Sequence, residues 1–224
     1  MNIPNILTIY RLLAAPAVGL VYAYLPAPIG DWIALALFIS AALTDYLDGY
    51  LARKWNQITD LGRMLDPIAD KAMVLIALVV IAVRSQYVQG DAANDVMLAI
   101  VLIIFREVFV SGLREFLGDK AGTLKVTWLA KWKTTLQMLA IVVILSSFLL
   151  GHYYWAFTWA MDDQMIVDVL AGARADEYGL RYVAPLFEWS SYYGVWILWV
   201  ATLLTLITGA DYLLKSLPIL KDIK

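Results

Sequence analysis

The stretch DYLDGYLARKWNQITDLGRMLDPIAD, residues 45–70, decides how the chain is to be read. It contains D-x-x-D-G-x-x-A-R-(x)8-G-x-x-x-D-x-x-x-D, carried by Asp45, Asp48, Gly49, Ala52, Arg53, Gly62, Asp66 and Asp70. Ionised carboxylates in apolar surroundings are costly unless a cation or a hydrogen-bonding shell compensates them. Spacings of three and four residues keep each Asp pair on one helix face, and the connection between the pairs lets two helices present them to each other. The expectation is a metal cage built from two helix ends.

Those surroundings are apolar. The 224 residues are 62% hydrophobic and only 16% charged, which places the chain in the membrane class rather than among soluble domains. Residues 12–30, 134–161 and 189–210 are uncharged runs long enough, at about 20 residues per span, to cross a bilayer as helices. Residues 32–44, 72–83 and 96–105 reach spanning length only by taking in charged residues at one end. The predicted architecture is all-α and integral to the membrane. Six transmembrane helices fall at about 5–25, 31–54, 63–84, 94–117, 130–155 and 190–215, in one domain covering 1–224. An outer acidic loop is expected at about 156–189, with a short surface helix as one option.

Placing both termini in the cytoplasm puts fourteen of the seventeen Lys and Arg inside, leaving only Arg84, Arg174 and Arg181 outside. That asymmetry predicts an N-in/C-in orientation. The charged ends of the second to fifth helices then meet on the inner side as a cytoplasm-facing polar chamber. The first apolar segment lacks a small-residue cleavage site and is read as a retained helix. Trp32, Trp155, Trp159 and Trp189 near one face, with Trp55, Trp128 and Trp132 near the other, fit interfacial belts. His152, the sole histidine, sits beside Tyr153, Tyr154 and Trp155 and is given an interfacial role, and no cysteine is present to ligate metal.

Buried acids also serve proton relays in transporters, but a relay needs few, dispersed carboxylates. Four clustered ones with an arginine and two glycines suit Mg2+ or Mn2+, which take oxygen ligands and keep positions open for phosphate. A two-metal arrangement would clamp a phosphoryl centre. Arg53 suits a phosphate oxygen, and Gly49 and Ala52 leave a helix surface that a ligand can approach.

Term for term, the Asp45 to Asp70 run resembles the signature of the CDP-alcohol phosphotransferase family. The resemblance implies six transmembrane helices, a cytoplasm-facing cavity, two divalent cations, and joining of a CDP-linked group to an alcohol with release of CMP. The stretches N-I-P-N-I-L-T-I-Y-R from Asn2, L-D-P-I-A-D-K around Asp66, R-E-V-F-V-S-G-L-R-E-F from Arg106 and K-W-K-T-T-L-Q-M from Lys131 look like a bacterial inner-membrane branch. That branch uses CDP-diacylglycerol as donor and sn-glycerol 3-phosphate as acceptor. Its implied metal ligands are Asp45, Asp48, Asp66 and Asp70, with Asp70 as general base. Gly49, Ala52, Arg53 and Gly62 would bind the CDP moiety. A dianionic acceptor phosphate calls for cations, and Arg106, Arg114, Lys131 and Lys133, helped by Thr8 and Arg11, are the candidates. Membrane lipids and a second copy of the chain, as a homodimer, are the other expected partners, and no nucleic acid is expected. Sibling reactions with serine, inositol phosphate or phosphatidylglycerol as acceptor remain alternatives, and a cation-coupled transporter is a remote one.

Overall fold

Six long helices and one short one carry the chain in the computed structural model, which describes residues 2–55, 59–88, 93–123 and 128–221. The long helices are α1 (Ile3–Tyr24), α2 (Ile29–Lys54), α3 (Asp60–Val88), α4 (Ala93–Leu117), α5 (Trp128–Thr158) and α7 (Leu180–Lys221), with α6 (Asp163–Ala171) short. Local sequence sets several of the boundaries. Pro4 opens α1, where its missing N–H is one of the orphan donors anyway. Pro26 and Pro28 follow the end of α1, so the chain turns and restarts at Ile29. Gly118, at a positive φ of 53°, closes α4 into a 3-10 turn over Gly118–Thr123.

Pairing of α5 with α7, of α1 with α2 and of α1 with α3 builds the bundle, and α4 joins it through α7 and α3. Phe38, Leu78, Ile81, Ile100, Ile141, Ile144, Leu145, Phe148 and Leu198 form one buried cluster drawn from five of the long helices. Ala15, Ala34, Ala41, Ala77, Ala99 and Ala140 are fully buried among them, and such small residues let membrane helices approach closely. Gly194 makes one such contact: a Cβ there would lie 2.9 Å from Ile144 Cγ1, so a larger residue would push α7 away from α5. The outside of the bundle is apolar in turn, with Leu13, Leu20, Val79, Val83, Val101, Phe105, Val108 and Ile207 all exposed. Apolar surface on that scale is what a lipid-facing protein presents. Among the described residues α1, α4, α5 and α7 are long and apolar enough to cross a membrane, whereas α2 and α3 carry charged ends.

Within the expected outer loop at 156–189 the short helix is α6. The last helix is corrected: α7 runs 180–221 rather than 190–215, so its first turns take up the end of that loop. At 1.5 Å per residue its 42 residues span about 63 Å, roughly twice the hydrocarbon thickness, so part of it stands clear of any bilayer. Beyond the bilayer a helix needs no apolar run, which is why Arg181, Pro185 and Glu188 masked its start.

Two acidic residues of this connection, Asp162 and Asp176, cap helix starts. Asp162 accepts from the Met165 backbone N–H (2.7 Å) at the head of α6. Asp176 accepts from the backbone N–H groups of Gly179 (2.9 Å), Leu180 (2.8 Å) and Arg181 (3.0 Å), while Arg181 donates to the carbonyls of Val169 (2.7 Å) and Arg174 (2.9 Å). The Arg181 N–H, then those of Leu180 and Gly179, hold the Asp176 carboxyl below its ordinary pKa of 3.8. A depressed carboxylate pKa contributes stability that is present above the unfolded value and disappears as pH falls through the folded one. Asp176→Ala is therefore expected to speed amide exchange at residues 179–181 at neutral pH. In the unsubstituted chain the same loosening should begin only below about pH 4. The effect should stay local, because this connection follows the C-terminal end of α5, whereas the polar Lys133 and Gln137 lie near its start.

Candidate active site

Asp66 and Asp70, four residues apart, point from one face of α3, and Asp45 meets them from α2. The positive group among them comes from α1. Arg11, only 2% exposed, donates from Nη1 to both Asp45 and Asp70 and reaches Asp66 at 3.5 Å through Nη2. Thr8, one turn earlier on α1, donates from Oγ1 to Asp66 at 2.8 Å. The guanidinium is buried beneath the cluster, while the three carboxylates remain 43–45% exposed. Counted as ionised, three negative charges against one positive leave a surplus of two among the described side chains.

With Arg11 between them, no three of the described acidic side chains stand in metal-ligating geometry. The donor set nevertheless fits a hard divalent cation: it is all carboxylate oxygen, half open to solvent and short of positive charge. The side chains of Asp48, Ala52 and Arg53 and the surroundings of Gly49 lie outside the described residues, although the backbone there continues α2. Gly62 lies in the first turn of α3, where its N–H donates to Thr59 Oγ1 (3.1 Å) and Thr59 in turn donates to Asn5 Oδ1 (2.8 Å). A Cβ at Gly62 would come within 3.2 Å of Asn5 Oδ1, so small size there ties α3 to the start of α1.

A cavity of about 300 Å3 opens from this cluster between α2, α3, α4 and α5. Asp45 and Asp70 line one wall, and Arg106, Arg114 and Lys133 line the other, so cations from three separate turns of sequence share one space with the motif. Thr8 and Arg11 are not on that cationic wall; they stand behind the carboxylates. The side chain of Lys131 lies outside the described residues, although its backbone belongs to α5.

Glu107, which sequence reasoning missed, organises the cations. Its Oε1 accepts from Lys133 Nζ and from Arg106 Nη1 (3.1 Å), with all three side chains largely buried. Arg106 Nη2 also donates to Thr208 Oγ1 on α7 at 3.2 Å. Gly209 makes room for this, because a Cβ there would sit 2.8 Å from Arg106 Cγ. Arg114 lies 5.2 Å from the centre of the Tyr212 ring, held against α7 by its flat guanidinium face. One acid against three cations leaves this wall positive, opposite a wall that is negative. In sequence Glu107 is only the neighbour of Arg106, and nothing there announces that Lys133 comes within its reach. Lys71, Ser111, Thr134 and Gln137 also line the cavity.

Comparison with known proteins bears on this geometry. Residues 1–207 match the family model described as CDP-alcohol phosphatidyltransferase. The chain is 49% identical over 224 residues to a protein of Cereibacter sphaeroides, covering 100% of this chain and 99% of that one. It is 34% identical over 211 residues to a Rickettsia bellii protein (94% and 93% covered) and 42% identical over 168 residues to one from Haemophilus influenzae (74% and 82% covered). All three bear the name CDP-diacylglycerol–glycerol-3-phosphate 3-phosphatidyltransferase. The resemblance carried by Asp45 to Asp70 is borne out, and the chain belongs to the CDP-alcohol phosphatidyltransferase family.

Proposed function

We propose that this chain transfers the phosphatidyl group of CDP-diacylglycerol to sn-glycerol 3-phosphate, releasing CMP and leaving phosphatidylglycerol phosphate in the membrane. One observation carries the reading: a single cavity sets the carboxylates Asp45 and Asp70 against the cations Arg106, Arg114 and Lys133. A full-length relative at 49% identity bears the name of that reaction. The acceptor's dianionic phosphate is held by Arg106 and Lys133, kept in place by Glu107, with Arg114 on the same wall and Lys131 as a further cation in the sequence. Its primary hydroxyl lies against Asp70, which takes the proton as the oxygen forms its bond to the donor's diacylglycerol-bearing phosphorus and the bond to CMP breaks. Arg53, Gly49, Ala52 and Gly62 serve the CDP moiety. Asp45, Asp48, Asp66 and Asp70 would hold two divalent cations, Mg2+ or Mn2+, which neutralise the pyrophosphate and the charge that develops in the transition state.

The same reading makes all six long helices membrane spans of one domain. Both termini and the mouth of the cavity face the cytoplasm, as the distribution of Lys and Arg favours. The chain is then a multi-pass protein of the bacterial inner membrane, working as a homodimer among membrane lipids. The test is CMP release by purified protein supplied with CDP-diacylglycerol, Mg2+ and one acceptor at a time. Release is expected with glycerol 3-phosphate in clear preference to serine, inositol phosphate or phosphatidylglycerol. Preference for any of those three would reassign the acceptor, and substrate uptake without CMP formation would replace the enzyme by a transporter.

A further inference from the structure

One polar group in the cavity is used by neither the carboxylate cluster nor the cationic wall. Gln137 on α5 is 2% exposed and lines the cavity, yet its amide Nε2 has no hydrogen-bond partner among the described residues. A buried donor left unmet is destabilising, and a leucine or methionine would fill the same space in this otherwise apolar helix without that penalty. The unmet donor therefore points to a ligand atom.

Its place along α5 says which atom. Lys133 and Gln137 are four residues apart, so they share a helix face and stand about 6 Å apart along the axis. The next residue, Met138, borders the same small hollow as Asp45 and Asp70. The lining thus passes from the cations Arg106 and Lys133 on one wall, by the amide of Gln137, to the carboxylates Asp45 and Asp70 on the other. Glycerol 3-phosphate carries its groups in that order: phosphate, secondary hydroxyl, primary hydroxyl.

We propose that Gln137 is a specificity-determining residue whose amide N–H donates a hydrogen bond to the secondary hydroxyl oxygen of the phosphorylated polyol acceptor. This rests on the acceptor assigned under the proposed function. A site that hydrogen-bonds a substrate hydroxyl discriminates against the analogue that lacks it, because its own polar group is then left unpaired.

The experiment compares two acceptors, glycerol 3-phosphate and 3-hydroxypropyl phosphate, which differ only in the secondary hydroxyl. It measures kcat/KM for CMP release by the full chain in detergent with CDP-diacylglycerol. The unsubstituted protein is expected to favour glycerol 3-phosphate by about tenfold or more, the scale of one hydrogen bond. Gln137→Met should bring that ratio close to one by losing activity towards glycerol 3-phosphate alone, with KM for CDP-diacylglycerol unchanged. A purely structural role would lower both acceptors together and leave the ratio intact, which would overturn the proposal. So would an unsubstituted protein that uses both acceptors equally. If Gln137→Met does not fold, Gln137→Asn, which keeps the amide but withdraws it, serves the same comparison. Absence of CMP release with glycerol 3-phosphate in the unsubstituted protein would instead bring down the acceptor assignment itself.

Discussion

Asp70→Asn is expected to lower kcat for CMP release by about 10³-fold, within the range that removal of a positioned general base commands. The substitution keeps the shape of the side chain and an amide oxygen that can still accept from Arg11, so the packing of α1 against α3 survives. What it removes is the negative charge and the proton-accepting oxygen facing the cavity. KM for the acceptor should change little, because the cations on the opposite wall are untouched. Thermal unfolding followed by tryptophan fluorescence would check that the fold is intact, and single-turnover CMP release would isolate the chemical step. Asp66→Asn should be comparably damaging under the two-metal reading, since Asp66 is assigned as a ligand although it is not among the residues lining the cavity. If either variant keeps near-normal turnover at saturating Mg2+, the two-metal arrangement is wrong.

The sequence made the acidic half of this site legible and left the basic half partly hidden, for physical reasons. Asp66 and Asp70 belong to one face of one helix, so their spacing alone puts them together, and the pattern that joins them to Asp45 is long enough to be specific. Arg106, Arg114 and Lys133 were readable as cations at the ends of helices converging on one side, and the structure brings them into one cavity with Asp45 and Asp70. Glu107, Thr208 and Gly209 were not readable, because their roles arise only when α4, α5 and α7 pack together. Gln137 did carry a signal, a lone amide one turn beyond Lys133 in an apolar helix, but its meaning depended on knowing that the cavity lay against it. The extension of α7 to Leu180 was hidden because hydropathy marks where a helix is in lipid, not where it begins.

Arg11 yields the second large effect. As one of several basic residues near the inner face it looked suited to the acceptor phosphate; in the structure it is the buried counter-charge of Asp45, Asp66 and Asp70. Arg11→Met fills similar volume but leaves three carboxylates facing one another. Breaking a buried ion pair from one side costs about 3–5 kcal/mol, and because these carboxylates are nearly half exposed and can take up water, the lower end applies, about 3 kcal/mol. The expected result is a Tm lower by several degrees together with loss of most CMP release. Arg11→Lys separates the two contributions: it restores the charge as a single point without the planar fork, so Tm should return most of the way while activity stays depressed. Mg2+ provides a further check on the charge surplus. Without the guanidinium the cluster is more negative, so the Tm of Arg11→Met should rise more steeply with Mg2+ concentration than that of the unsubstituted chain. Equal slopes would mean that Arg11 and the divalent cations do not share the same carboxylates, and an unchanged Tm would mean that Arg11 is not what holds α1 to them.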